Sequence, residues 1–257
     1  MEQLLKGKVI VVSGGTKGVG KGVVLESMRQ GADVVLGGRA QDGAQKILEE
    51  VKAAGRRGIF VETDLLKGAC ECEKLFERAM EEYGRVDGFL NYAGSLPAAS
   101  LLDSTEELFD DTFNLNIKAA FFCAQQAVKY MRKSGGGSIV MIGSPHAWCG
   151  EKDRAVYACS KGALYTLSEH IAHHYAEDRI RCNFVTMGWV PTEGELELRK
   201  KQGMDSAALH DYAKQFIPMG RMQEVEDHVP GIIYLLSDLS SQVTGANLRV
   251  TGGFYIG

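Results

Sequence analysis

The sequence predicts an α/β protein: one domain built on a doubly wound sheet of about seven parallel strands, with helices on both faces and a small helical lid. Short β-rich runs alternate with longer stretches of helical period, which is the pattern of successive βαβ units. Runs such as "VIVV" and "IVMI" are apolar without alternation, which indicates strands buried on both faces. A length of 257 residues is ordinary for one such domain, so residues 1–257 are taken as a single unit.

The N-terminal half of the chain is predicted to consist of strand–helix units. The first three helices each stop at or next to a glycine, a residue that tolerates the left-handed conformation common after a helix. In chain order the predicted elements are a strand over 8–14, a helix over 18–30, a strand over 32–38, a helix over 42–55, a strand over 57–64, a helix over 69–84 and a strand over 86–94.

The C-terminal half continues the alternation after a loop that contains Pro97. Residues 189–220 interrupt it, because they are polar, helical in period and carry no strand; they are predicted to form the substrate lid, inserted within the domain. The remaining predicted elements are a helix over 104–132, a strand over 138–144, a helix over 154–178, a strand over 179–187, a helix over 224–238 and a strand over 246–253.

Charge and composition exclude several classes of function. The 29 basic and 33 acidic residues nearly cancel, which argues against nucleic acid as the main partner. No stretch approaches the ~18 apolar residues that a membrane span needs, and the N-terminal stretch lacks a signal-peptide pattern. The six cysteines form no CxxC pair and are expected to be reduced. We therefore expect a cytoplasmic protein without a membrane partner.

A glycine cluster, "SGGTKGVG", lies between the first predicted strand and the first predicted helix. At that position the N-terminal N–H groups of a helix can bind a pyrophosphate, and glycines let the backbone approach it closely. The spacing of Gly14, Gly18 and Gly20 differs from GxGxxG, and the GK[ST] ending of a triphosphate loop is missing. The cluster alone fits either a Rossmann-type dinucleotide site or a tight strand-to-helix turn.

Tyr157 and Lys161 lie four residues apart on a predicted helix, so their side chains share one face. Such pairs also occur by chance on many helices, but Ser144 ends a strand thirteen residues before the tyrosine. With these residues the chain resembles the short-chain dehydrogenase/reductase family along essentially its whole length. The motifs that carry the resemblance are "SGGTKGVG", "TDL" at Asp64, "NYAG" at Asn91 to Gly94, Asn116 in "LNIKAAF", Ser144, Tyr157, Lys161 and "MGWVPT".

The resemblance implies a mechanism in which Tyr157 exchanges a proton with the substrate oxygen while hydride passes between a carbonyl carbon and the nicotinamide. Lys161 would favour the phenolate and hold the nicotinamide ribose, Ser144 would bind the substrate oxygen, and Asn116 would position a water that links Lys161 to solvent. From the residues alone, Ser144 could equally be a helix cap and Asn116 a mid-helix polar residue. The four-residue tyrosine–lysine separation favours carbonyl–alcohol chemistry over the family's enoyl reductases.

The resemblance also assigns a set of cofactor-binding positions. Asp64 and Leu65 would meet the adenine, Asn91 would approach the adenosine ribose, and Val190 and Thr192 would hold the carboxamide. The full predicted set is Gly14, Thr16, Lys17, Gly18, Val19, Gly20, Arg39, Asp64, Leu65, Asn91, Ala93, Gly94, Tyr157, Lys161, Val190 and Thr192. The chain departs from the family pattern at Ser13, at Met187 and in its terminal "TGG".

The residues after the second strand bear on the choice between NAD and NADP. A carboxylate there accepts hydrogen bonds from the 2′-hydroxyl of NAD, whereas an arginine accommodates the 2′-phosphate of NADP. Here Gly38 occupies the carboxylate position, Arg39 follows it, and Lys17 lies in the glycine loop. This predicts NADP(H), with NAD(H) as the alternative; Arg39 and Lys17 could also be ordinary surface side chains.

The substrate is predicted to be a small carbonyl or alcohol, for which a sugar, a polyol, a steroid or another ring ketone is favoured by the aromatic and polar lining. The predicted lining is Ser95, Ser144, His146, Trp148, Tyr157 and Trp189. His170 and His174 suit a helix face better than a metal site, so no metal is predicted. A 3-oxoacyl-thioester reductase and a non-catalytic cofactor-binding regulator or scaffold stay open as alternatives. The resemblance implies a homotetramer or homodimer.

Overall fold

Seven parallel strands form one sheet in a computed structural model of the chain, which describes residues 3–39, 41–191 and 206–255. The strand order is β3-β2-β1-β4-β5-β6-β7, which confirms the predicted doubly wound sheet. The strands are β1 Val9–Ser13, β2 Asp33–Gly38, β3 Gly58–Glu62, β4 Gly88–Asn91, β5 Gly137–Gly143, β6 Ile180–Met187 and β7 Asn247–Val250.

Eight α-helices lie within the described residues. They are α1 Gly18–Arg29, α2 Gln41–Ala53, α3 Ala69–Tyr83, α4 Glu106–Phe113, α5 Ala120–Ser134, α6 Ala155–His174, α7 Ser206–Lys214 and α8 Val225–Leu236. The helix predicted over 104–132 is divided, because a π-helical segment, Asn114–Ala119, separates α4 from α5. None of the described helices is long and apolar enough to cross a membrane.

Alternate residues of the central strands pack into two separate hydrophobic cores, one on each face of the sheet. Val11 and Phe89 point to the face covered by α3, α5 and α6, where they join Phe76. Their neighbours Ile10 and Leu90 point to the opposite face, in the core shared by α1, α2 and α8. The near-continuous apolar strands are thus explained by burial on both faces.

The chain reverses its direction of winding at β1, which pairs with β2 on one side and β4 on the other. Ser13 ends β1 opposite Gly37 and Asn91, so the segments that follow β1, β2 and β4 emerge together. Ligands of doubly wound folds bind in the crevice at this switch point, beyond the carboxyl ends of the strands. The predicted site residues that follow β1, β4 and β5 are therefore brought to one edge of the sheet.

The part of the predicted lid that the structure describes is packed against the end of the chain. Leu209, Ala213, Ile217 and Met222 form a small hydrophobic cluster, against which Trp189 and Phe254 pack. Residues 192–205 of the predicted lid lie outside the described ranges, and the assignment of 189–220 as a lid stays a prediction.

Candidate active site

The glycine loop turns from β1 into α1 through two left-handed residues. Gly14 has φ of +75° and Gly18 has φ of +52°, values that favour glycine because a Cβ would be strained there. A Cβ on Gly14 would also lie 3.0 Å from the backbone nitrogen of Ala93. The loop therefore passes in direct contact with the segment that follows β4.

Tyr92 fills the space beneath this loop. Its hydroxyl accepts a hydrogen bond from the backbone N–H of Val19 at 3.3 Å, in the first turn of α1. A Cβ on Gly18 would lie 2.7 Å from that hydroxyl, and one on Gly20 would lie 2.7 Å from the tyrosine ring. The glycines of the loop are thus required by Tyr92 as well as by any phosphate, a role for Tyr92 that the sequence motif alone did not indicate.

A cleft of about 260 Å³ opens beside the glycine loop, at the ends of β1, β2 and β3. Lys17 and Arg39 both line it, so the structure brings the two predicted cations to one cleft. Gly38 also lines the cleft and lies against the side chain of Thr16. A Cβ added to Gly38 would be 3.1 Å from the methyl carbon of Thr16. Other predicted cofactor residues in the lining are Gly14, Thr16, Asp64, Leu65, Ala93 and Gly94.

Among the other predicted cofactor positions, Asn91 and Val190 do not line this cleft. Asn91 is buried, and its side-chain oxygen accepts a hydrogen bond from the Ser13 hydroxyl at 3.3 Å, so it anchors β1 to β4 beneath the cleft. Val190 lines the larger cavity described next. Thr192 lies outside the described residues.

A larger cavity, of about 600 Å³, opens at the ends of β4, β5 and β6. Five of the six predicted substrate residues line it: Ser95, Ser144, His146, Tyr157 and Trp189. The sixth, Trp148, does not, because its ring packs on Tyr165 and Phe184, with the guanidinium of Arg249 at 5.0 Å. Tyr92 and Gly94 line both this cavity and the 260 Å³ cleft, so the two are contiguous.

Ser144, Tyr157 and Lys161 meet in this cavity, where all three are buried. The side chain of Ser144 interacts with the hydroxyl of Tyr157 and lowers its pKa. The ammonium of Lys161 donates to the carbonyl of Ile142 at 2.9 Å and lies 5.6 Å from the Tyr157 ring centre. The sequence spacing thus places an alcohol, a phenol and an ammonium group together.

Asn116 lies in the π-helical segment and ties three parts of the site together. Its amide nitrogen donates to the Ser95 carbonyl at 3.0 Å and to the Ser160 hydroxyl at 3.0 Å. Its amide oxygen accepts from the Ser95 N–H at 2.8 Å. The amide therefore fixes the segment after β4 against α6; π-helical segments often occur at functional sites.

Burial shifts the pKa values of the two titratable groups in opposite directions. It raises the pKa of Tyr157 to about 12, although the interaction with Ser144 and the positive charge of Arg154 act against the rise. Burial lowers the pKa of Lys161 to about 8. Each group is shifted toward its uncharged form, as desolvation requires.

His146 and Arg154 complete the polar lining near Tyr157. The ring of His146 meets that of Tyr157 edge to face, with centres 5.5 Å apart. Burial, followed by the charge of Arg154, lowers the pKa of His146 to about 4, so the imidazole is neutral at pH 7. Arg154 was missed by the sequence reasoning, although it precedes Tyr157 by three residues and so shares its helix face.

Comparison with known proteins agrees with this geometry. The family model described as "Enoyl-(Acyl carrier protein) reductase" matches residues 14–255. An L-rhamnose 1-dehydrogenase (NAD(P)(+)) from Azotobacter vinelandii is 35% identical over 98% of this chain and 98% of its own. A 3alpha-hydroxysteroid dehydrogenase from Mediterraneibacter gnavus is 33% identical over 98% of each chain. The structure of a short-chain dehydrogenase/reductase from Serratia marcescens superposes with a TM-score of 0.90 at 29% identity, covering 98% of this chain and 100% of the other.

A doubly wound sheet with a glycine loop at its switch point, and a buried tyrosine and lysine beside that loop, define a dinucleotide-dependent oxidoreductase. The matches extend over almost the whole chain, and they show that it belongs to the short-chain dehydrogenase/reductase family.

We predict that Gly20→Ala lowers cofactor affinity by at least tenfold. The added methyl group would collide with the carbonyl of Gly14 and the ring of Tyr92, and so push the loop from its position. Gly43→Ala in α2 is the control, since its Cβ would lie 3.6 Å from its nearest neighbour, the Thr16 carbonyl. Titration of both variants with NADPH and NADH, followed by fluorescence, measures the effect; equal affinities for the two variants would contradict it.

We also predict that Lys161→Met changes how stability depends on pH. Because the pKa of Lys161 is lowered to about 8 from 10.5, the unfolded chain binds more protons than the folded one between these values. The free energy of unfolding of the unaltered protein should therefore rise with pH in this window, relative to the variant, by up to about 1.4 kcal/mol per pH unit. Urea unfolding of both proteins at pH 7.5 to 10 tests this, and two parallel pH curves would refute it.

Proposed function

We propose that the protein is an NADP(H)-dependent oxidoreductase that interconverts a secondary alcohol and a ketone. The observation that carries the proposal is the meeting of Ser144, Tyr157 and Lys161 in a cavity contiguous with the cleft beside the glycine loop. A scaffold that only binds cofactor has no need of this buried set. The bound nicotinamide would supply or accept the hydride.

The chain's own residues would handle the proton and the orientation of substrate. Tyr157, with a pKa of about 12 before any ligand binds, holds its proton and can donate it to a substrate oxygen. Ser144, whose side chain interacts with the same phenol, would bind that oxygen beside it. The ammonium of Lys161 would hold the nicotinamide ribose and stabilise the phenolate in the oxidative direction.

The choice of NADP rests on the cations of the 260 Å³ cleft. Lys17 and Arg39 line it, while Gly38 offers no carboxylate for a ribose 2′-hydroxyl. A guanidinium binds phosphate through paired, charge-assisted hydrogen bonds. The names of relatives do not decide the matter, since the Azotobacter enzyme is described as using NAD(P)(+).

The proposed substrate is a sugar, a polyol, a steroid or another ring ketone. Relatives named for rhamnose and for hydroxysteroids support this, and Trp189, Phe216 and Phe254 give the cavity aromatic walls. A 3-oxoacyl-thioester reductase is the second candidate; the description of the matching family model shares with it only the acyl-carrier-protein substrate, since it names an enoyl reductase. A panel of sugars, steroids, ketones and acyl-thioesters, followed by NADPH absorbance, separates the two; tight NADPH binding without turnover of any member would favour a scaffold.

Location and assembly are proposed from the same family membership: a cytoplasmic homotetramer or homodimer. An apolar groove between α5 and α6, lined by Phe121, Val128 and Leu167 among others, supports contact between copies through these helices.

Tyr157→Phe should lower kcat/KM by ~10²–10⁴, because it removes the positioned proton donor while leaving the shape of the cavity unchanged. Affinity for NADPH should change less than twofold. The control is Tyr165→Phe, which removes the same atom from the same helix at a residue that packs on Trp148 and Phe184. Steady-state rates and NADPH titration provide the readouts; a tenfold or smaller loss of kcat/KM in Tyr157→Phe would exclude the assigned role.

Arg39→Ala should weaken NADPH by about tenfold or more, since a charge-assisted hydrogen bond contributes ~1.5–3 kcal/mol, and should leave NADH nearly unchanged. Arg29→Ala serves as the control, because Arg29 pairs with Glu26 at the far end of α1 from the glycine loop. Initial rates with each cofactor give the comparison. A matched loss for NADPH and NADH would overturn the NADP assignment.

A further inference from the structure

Arg154 is a buried cation in the wall of the 600 Å³ cavity. It precedes the first residue of α6, and its side chain lies on the face that carries Tyr157 one turn later. The residue is only 5% exposed, and its positive charge lowers the pKa values of both Tyr157 and His146. The guanidinium is therefore close enough to influence the groups beside the reacting atoms.

Among the described residues, one nitrogen of the guanidinium, Nη1, makes hydrogen bonds. Nη1 donates to the carbonyl oxygen of Asp153 at 3.2 Å and to its carboxylate at 3.1 Å. Within residues 3–39, 41–191 and 206–255, Nε and Nη2 have no hydrogen-bond partner. These two nitrogens form the side-on edge of the guanidinium, which matches the two oxygens of a carboxylate.

Asp153, the ion-pair partner of Arg154, compensates the buried charge of the guanidinium incompletely. The side chain of Asp153 is 57% exposed, whereas that of Arg154 is 6% exposed, so solvent screens the carboxylate and weakens the pair. Taking a charge out of water is unfavourable unless good hydrogen bonds replace the solvent. A ligand carboxylate on the side-on edge would supply two such bonds to a side chain that is already largely buried.

The neighbouring groups favour a single carboxylate over a more highly charged anion. His146 accepts a hydrogen bond from the Glu151 N–H through Nδ1 at 3.4 Å, so its proton resides on Nε2 and the ring adds a donor without adding charge. Asp153 and Glu151 also line the cavity together with Lys152, so this segment has a net negative charge that would disfavour a phosphate dianion. A carboxylate with one negative charge and planar geometry matches the free edge of Arg154.

We propose that Arg154 determines specificity by binding a carboxylate of the substrate, so that the protein acts on hydroxy acids or oxo acids, such as sugar acids or steroid acids. The carboxylate would be separate from the carbon that reacts beside Tyr157. This proposal rests on the proposed function, because it identifies the substrate class of the same site.

Binding to the NADPH-loaded protein tests the proposal without requiring turnover. Glucuronate, cholate and 3-hydroxydecanoate are each compared with the corresponding methyl ester by calorimetric titration. We expect at least one acid to bind at least tenfold more tightly than its ester. Arg154→Gln should remove that preference while the ester's affinity stays within twofold, and Arg154→Lys should retain part of it.

Lys152→Gln is the matched control, since it removes a positive charge from an exposed side chain of the same segment and should leave the preference intact. NADPH affinity verifies that each variant is folded. If Arg154→Gln does not fold, Arg154→Lys and the acid–ester comparison on the wild-type protein test the proposal. Esters that bind as tightly as their acids, or an acid preference that persists in Arg154→Gln, would overturn the proposal. Turnover of neutral alcohols with no preference for acids would overturn the role of Arg154 but uphold the proposed function. Acid binding that depends on Arg154, without turnover of any substrate, would instead contradict the proposed function.

Discussion

The position of the segment Tyr92–Gly94 is the constraint on which the rest of the site depends. This segment leaves β4 beside the end of β1, and Tyr92 and Gly94 form a wall common to the 260 Å³ cleft and the larger cavity. Its contact with Gly14 and the hydrogen bond from Val19 to Tyr92 hold it from one side. On the other side the Asn116 amide holds Ser95 through two hydrogen bonds. The relative position of the 260 Å³ cleft and the larger cavity is thereby fixed by contacts between side chains and backbone.

This arrangement also explains why so many of the site residues cannot vary independently. Gly14, Gly18 and Gly20 each lack the space for a Cβ because Tyr92 or Ala93 occupies it, so loop and wall form one packed unit. Asn91 and Ser13 tie the two strands beneath them. The glycine loop is therefore rigid by packing, which would lower the entropy lost on binding a ligand there.

The sheet and its two cores could be predicted from sequence because they depend on local pattern: apolar strands, helical periodicity and glycine stops determine them. The residues that lie together at the strand ends could likewise be predicted, because their motifs follow one another along the chain in the order typical of the family. The placement of side chains that depends on contacts between residues far apart in sequence could not be predicted. Trp148 is held outside the cavity by Phe184 and Arg249, and the π-helical turn at Asn116 is accompanied by bonds to Ser95 and Ser160. The burial of Arg154 likewise has no signature in the charged segment "EKDR".

Arg154 caps α6 on the face that carries Tyr157 and Lys161, so two buried cations flank the tyrosine along this face. Arg154 lowers the pKa of Tyr157, and burial raises it by more, to about 12. A carboxylate bound to Arg154 would neutralise its charge and remove that lowering effect, so the phenol would retain its proton more strongly. Because the phenol is already protonated at neutral pH, this rise would weaken it as a proton donor and would make its phenolate a stronger base in the oxidative direction. Substrate charge and the proton affinity of Tyr157 are thus physically linked through Arg154.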